Sequence, residues 1–520
     1  MENILQGSRR LSAVIAAIAF AMAGMNATGA AAPALHSDCS GALCGADGNS
    51  YTGHGVGIWT YRNDRNRAAV LDVALEGLRG NTVTLVFSNS SSAEAILDGD
   101  LAGRRPPPSP PPPSYAASKD PLPAMPYPSD TSGEARTWKV PQVAAGKMAP
   151  PRAFASRLRA SAMIDGFHYR IWVADDDWTP HMQDQLPRLA AMLFGVPGYP
   201  GLLPQYLAVF PAAPWGTYQP HPANATLLSS TTREVDFVIA PNGAGNLQFF
   251  DSSQVGEGPD SNRALVMFVG SEALACNRTS ICLDLSRPEL AFATTNTLLH
   301  EFTHLVHYYQ RELGTRTGAF DRWLKEAIAS SQGFTLALSR FPSTSPLSFE
   351  IAPWFGGKYA CSLTSAEGEA GTSQAGSCAQ NYYSSGQAFL LYLVGQYGSD
   401  FYSKLLAANG SGVDAVDAAI RACGGPGFDE AFRRWGGMLA LLPKDAPAGY
   451  GYPGTRVGGF VLPAIDGAAY AAQRRLPAPS HGPLTLAPYS HWPLVDASQR
   501  GSYRRHIVVP AGVAVTVYVQ

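Results

Sequence analysis

The stretch "HEFTH", His300 to His304, sets two imidazoles four residues apart with a carboxylate directly after the first. A helix turns about 100° per residue, so four residues return to nearly the same face one turn up, and His300 and His304 project side by side. Two imidazoles at that spacing can share one zinc ion. Glu301, one step round the helix, flanks the pair and can reach a water without joining the ligands. Helical character follows from Leu298, Leu299, Phe302, Leu305, Val306 and Tyr309, which recur at three and four residues. The competing reading is a core helix whose histidines are satisfied by hydrogen bonds.

A metal held this way needs a further protein ligand. His307 lies only about 20° around the helix from His300, but seven residues rise roughly 10.5 Å, too far for both rings to meet one ion at about 2 Å. His307 is therefore read as a neighbour. The segment "GAFDRWLKEAIASSQGF", Gly318 to Phe334, offers Glu326, 22 residues beyond His304. The intervening "GTRTG" is a turn that can reverse the chain into an antiparallel helical hairpin. Glu326 shares a face with Ala319, Trp323, Ser330 and Gly333, mostly small residues that would let two helices approach closely. Its competing reading is a solvated carboxylate beside Lys325.

The elements that must position these groups are legible as patterns. "HYRIWVA" (168–174), "VDFVIA" (235–240) and "NRALVMFVG" (262–270) read as strands, and "MQDQLPRLAAML" (182–193) as an amphipathic helix. From 290 to about 442 the chain reads as mainly helical. Residues 151–445 are expected to form the catalytic domain, of α+β class. "NRALVMFVG" is given a second role as an edge strand to which an extended peptide could add. Residues 32–100 read as an N-terminal β module, 101–150 as a proline-rich linker carrying "RRPPPSPPPPS", and 446–520 as a C-terminal β module.

Residues 1–31 have the form of a secretory signal: Arg9 and Arg10, an apolar run of about 15 residues, then small residues up to a cleavage site near Ala30 or Ala31. That run is short of the roughly 20 residues that a membrane span needs. Six of the seven cysteines fall into close pairs, Cys39 with Cys44, Cys276 with Cys282 and Cys361 with Cys378, which fits local disulfides in an exported protein and leaves Cys423 as a buried free thiol. A net charge of -2 without a basic stripe argues against nucleic acid as a partner.

"HEFTH" followed by "WLKEAIAS" resembles the gluzincin clan of zinc metallopeptidases. More narrowly, "GNLQFFDSSQV" (245–255), "SNRALVMFV" (261–269), "LLHEFTHLVHYYQ" and "WLKEAIAS", in that order, resemble the hyicolysin family of secreted bacterial neutral metallopeptidases. The resemblance covers about residues 160–440. It implies a thermolysin-like zincin domain, Zn2+ held by His300, His304 and Glu326, and Glu301 as general base in peptide-bond hydrolysis. The oxyanion wants a further donor, and "NYYSSG" (381–386) offers Tyr382 and Tyr383, with nothing to choose between them. Asn296 and Asp321 are the expected partners of the ligand histidines. The expected molecule is a secreted, monomeric endopeptidase acting on proteins or peptides. No segment of the GxMEN type precedes the HExxH to hold a free N-terminus. The alternatives are an exopeptidase or other zinc hydrolase, and a secreted binding protein with a degenerate metal site. Calcium has no D-x-D-x-D-G loop to argue for it.

Overall fold

The computed structural model describes the chain from residue 33 onward, except for residues 98–132 apart from Tyr127, 211–231, 279–281, 342–350, 365–380 apart from Cys378, 442–445, 463–483 and breaks of one or two residues. The signal segment and the proline tract lie outside the described residues. In chain order the principal strands are β1 (Gly57–Arg62), β2 (Ala69–Asn89), β3 (Ala135–Ala144), β4 (Lys147–Ile164), β5 (Phe167–Ala174), β6 (Glu234–Ala240), β7 (Gln248–Phe250), β8 (Leu265–Gly270), β9 (Ser490–Val509) and β10 (Val513–Val519). The helices that matter for the site are α1 (Pro180–Phe194), α2 (Pro288–His307), α3 (Arg322–Arg340), α4 (Gln387–Tyr397) and α5 (Phe428–Gly436).

The central sheet has the order β7-β8-β6-β5-β4-β3. β6 pairs in parallel with both β5 and β8, whereas β7 runs antiparallel to β8 and forms one edge. "LVMFVG" in β8 is buried at all six positions, as expected of an interior strand covered on both faces, whose residues need not alternate. The reading of 262–270 as the edge is therefore corrected: β7 lies outside it. β3 and β4 belong to the same sheet, so the stretch expected to close the linker, up to residue 150, is strand.

A second sheet corrects the expectation of two separate terminal modules. β10 lies between β1 and β2, and β9 pairs along β2 from Asn89 to Ala69. β10, "VAVTVYV", is buried throughout, so it needs partners on both edges and cover on both faces. Strands at opposite ends of the chain supply the partners, and sequence distance gives no hint of this.

α2 opens with Pro288 in its first turn, where the missing N–H is no loss. It buries Phe292, Leu298, Leu299, Phe302, Leu305 and Val306 against the sheet and α3. Burying each such side chain contributes about 1.5–3 kcal/mol. α2 and α3 touch closely because Gly333 has no side chain: a Cβ there would come within 2.7 Å of the Asn296 backbone carbonyl oxygen and 3.1 Å of the His300 backbone nitrogen. Three disulfides join Cys39–Cys44, Cys276–Cys282 and Cys361–Cys378. Cys423 is free and half-buried rather than buried.

Candidate metal centre

α2 and α3 bring three side chains to one point. His304 Nε2 lies 3.1 Å from His300 Nε2, His300 Nε2 lies 3.2 Å from Glu326 Oε2, and His304 Nε2 lies 3.4 Å from the same oxygen. A tetrahedral zinc with bonds of about 2.0–2.1 Å separates its ligand atoms by about 3.3 Å. The triangle therefore has the size of one face of such a site, and its two nitrogens and one carboxylate oxygen are donors that zinc accepts. Among the described residues no other group of three histidine, cysteine, aspartate or glutamate side chains meets in this way.

The electrostatics fit a cation. Burial would raise the Glu326 carboxyl, but the hydrogen bonds and charges of His300 and His304 outweigh it and hold the group well below the usual carboxylate range. Ser330, one turn beyond Glu326 on α3, places its hydroxyl 3.2 Å from His300 Nδ1. A metal on Nε2 would leave the proton on Nδ1, whose N–H would then donate a hydrogen bond to the Ser330 hydroxyl and fix the ring. Ser330 thus fills the part expected of Asn296 or Asp321. Asn296 packs under Gly333 with its side-chain oxygen buried and unpaired, and Asp321 sits before the first turn of α3 against Gly412. The four-residue step from Glu326 to Ser330 was the available signal.

Glu301 projects beside the triangle, where its Oε2 accepts the Phe250 backbone N–H at 3.0 Å. Phe250 ends β7, so the outer edge of that strand faces Glu301. Burial pushes the Glu301 carboxyl up to about 7, against the opposing effects of His300 and the Phe250 N–H and with a smaller upward one from Glu326. A carboxylate poised there can exchange a proton near neutral pH.

The two tyrosines separate. Tyr383 is partly exposed, its ring 6.0 Å from the His300 ring. Burial first, then Glu326, holds its phenol protonated to well above its ordinary range. Tyr382 is 1% exposed and packs in the core, whereas Tyr383 beside it reaches the His300 ring. Both stand in a π-helical turn, 382–386, that leads into α4. Such turns displace side chains from regular helical positions and recur at functional sites. His307 is buried, with its ring 6.2 Å from Phe320, and does not join the triangle.

Compared with known families, residues 217–520 match a model described as peptidase M30, and residues 37–98 match a domain of unknown function. No curated protein matches the chain.

Proposed function

The chain belongs to the peptidase M30 family of metallopeptidases, and from that premise we propose that it is a secreted, monomeric zinc endopeptidase with a thermolysin-like catalytic domain. The observation that carries this reading is the triangle of His300, His304 and Glu326 atoms, with edges of 3.1–3.4 Å. Those three residues would hold the zinc. When bound, the ion supplies Lewis acidity that acidifies water and polarises a carbonyl oxygen.

The remaining steps belong to the chain's own residues. An extended peptide adds to the outer edge of β7, where the Phe250 N–H is held by Glu301, and this holds its backbone over α2. Glu301 takes the proton of the attacking water and delivers it to the departing amine. Tyr383 donates its phenol hydrogen to the developing oxyanion, a role its raised pKa suits because the proton stays on the ring. Ser330 keeps the His300 ring in one orientation. Residues 1–31 are removed on export. The disulfides fit an oxidising compartment. Among the described residues no helix is long and apolar enough to cross a membrane.

The test is hydrolysis of casein and of an internally quenched peptide blocked at both ends, after chelation and after zinc is returned, with the Glu301→Gln variant alongside. Activity should vanish and return with zinc, and the variant should bind zinc yet lose about 10²–10⁴-fold in kcat. A wild-type-like Glu301→Gln variant would overturn the reading.

A further inference from the structure

A cavity of about 250 Å³ opens directly beside His304 and Glu326. Its place along the substrate follows from strand polarity. Antiparallel pairing is slightly the more stable per residue, so a peptide on the outer edge of β7 runs against it. Its residues N-terminal to the scissile bond then lie toward the C-terminal end of β7. Phe250, the last residue of β7, and Ser252 beyond it line the cavity, which puts it on that side.

One part of the wall is made of rings, and the rest is polar or charged, with Ser252, Arg311, Glu312, Lys325 and Glu326. Phe250 and Tyr308 lie 5.8 Å apart, and His307 and Phe320 6.2 Å apart, centre to centre. The cations nearby are already engaged. Arg311 lies 3.7 Å over the Phe320 ring and donates to the carbonyl oxygens of Leu406, Ala408 and Gly410, while Lys325 pairs with Glu312 at 2.9 Å. An acidic side chain would lose its hydration there without gaining an unengaged cation. His307 lines the cavity and is 6% exposed; its Nδ1 is buried away from the opening, which leaves Nε2, without a hydrogen-bond partner, as the nitrogen that can meet a ligand. Burial, reinforced by the positive charges of His304, Arg311 and Lys325, keeps its imidazole neutral, with a pKa lowered to about 3. A neutral imidazole offers one donor and one acceptor. For scale, an apolar cavity of about 150 Å³ takes up a benzene ring, so the present one has room for a substituted ring.

We propose that this cavity receives the side chain immediately N-terminal to the scissile bond and selects a ring with a hydrogen-bonding tip, tyrosine above phenylalanine, with His307 meeting the tip. The proposal rests on the endopeptidase reading and adds a specificity to it.

The experiment uses the zinc-loaded full-length enzyme and quenched peptides that differ only at that position, carrying tyrosine, phenylalanine, leucine or glutamate. kcat/KM should be at least about tenfold higher for the two rings than for leucine or glutamate, and about fivefold higher for tyrosine than for phenylalanine, the value of one hydrogen bond. In His307→Phe the tyrosine-to-phenylalanine ratio should fall to about one. Phe320→Leu, which removes a wall and leaves His307, should narrow the advantage of both rings over leucine. Leucine or glutamate cleaved as well as phenylalanine by the wild type would overturn the proposal while leaving the endopeptidase reading intact. A tyrosine preference that survives in folded His307→Phe would do the same. Cleavage of none of the peptides would remove both.

Discussion

Ser330→Ala tests whether a hydroxyl with no contact to the metal sets how tightly the metal is held. The Ser330 hydroxyl and His300 Nδ1 are 3.2 Å apart, a long bond between neutral groups, so its net worth is about 1 kcal/mol. Removing it frees the imidazole to rotate and lowers its basicity, which should weaken zinc binding about fivefold, just below the 10–100-fold span usual for partners of metal-bound histidines. Ser330→Asp should act in the opposite direction, because a carboxylate accepting from Nδ1 makes a charge-assisted bond worth about 1.5–3 kcal/mol. The assay is competition for zinc against a chelator of known affinity, followed by chelator absorbance, so the readout does not depend on catalysis. Thermal unfolding of the metal-free proteins controls for general damage. Zinc affinities for Ser330→Ala and wild type that agree within twofold would refute the reasoning, as would weaker binding by Ser330→Asp than by Ser330→Ala.

Two predictions follow from the same kind of accounting. Tyr383→Phe should lower kcat by about 10²-fold with little change in KM, as loss of an oxyanion donor does, whereas Tyr382→Phe, in the core, should leave kcat within threefold; equal effects in steady-state peptide hydrolysis would remove the distinction. His491 is buried against Trp354, Phe432 and Trp435 with Nδ1 2.9 Å from the Ser88 hydroxyl, and burial lowers its pKa to about 3. Because the unfolded chain binds that proton below about pH 6.5 and the folded chain does not until about pH 3, stability is retained above 6.5 and lost as pH falls. The wild type should lose about 2 kcal/mol relative to His491→Phe between pH 8 and pH 5, and parallel urea-unfolding curves for the two proteins at both pH values would count against it.

What could be read from the sequence is what depends on neighbours along the chain. His300, Glu301 and His304 are fixed relative to one another by the helix itself, and Glu326 stands on the next helix, where the HExxH before it makes a carboxylate ligand worth seeking. Tyr382 and Tyr383 could not be told apart in the sequence for a physical reason. They stand side by side in a π-helical turn, where the 3.6-residue period that assigns faces does not apply. The edge strand was misplaced because β7 is only three residues long, too short to show alternation, whereas β8 beside it is conspicuously apolar. That same unbroken apolar run marks an interior strand, and β8 could have been excluded on that ground.

The partnership of the chain's two ends bears on whether the N-terminal region can be a detachable pro-segment. Residues 217–520 carry the family match, yet β10, at the end of that stretch, is paired on one side with β1 and on the other with β2. Removing residues 33–97 would uncover Val513, Val515, Val517 and Val519, all now buried, at about 1.5 kcal/mol or more each. The sum, about 6 kcal/mol, is comparable to the whole net stability of an ordinary domain, about 5–15 kcal/mol. The loss extends to charge. Arg433 on α5, 5% exposed, is paired with Asp38 as well as Glu430 and donates to Thr516 at 2.9 Å. Without Asp38 the buried Arg433 loses a partner, and Tyr450 loses its 2.7 Å bond to the same carboxylate. The N-terminal strands are therefore a structural part of the fold that carries the family match. A chain beginning at residue 133 should be insoluble or unfolded by circular dichroism, and co-expression with residues 33–97 as a separate fragment should restore a complex that co-purifies. A folded, zinc-binding and active 133–520 chain would show that the sheet at the chain's two ends is dispensable and that the first strands can leave.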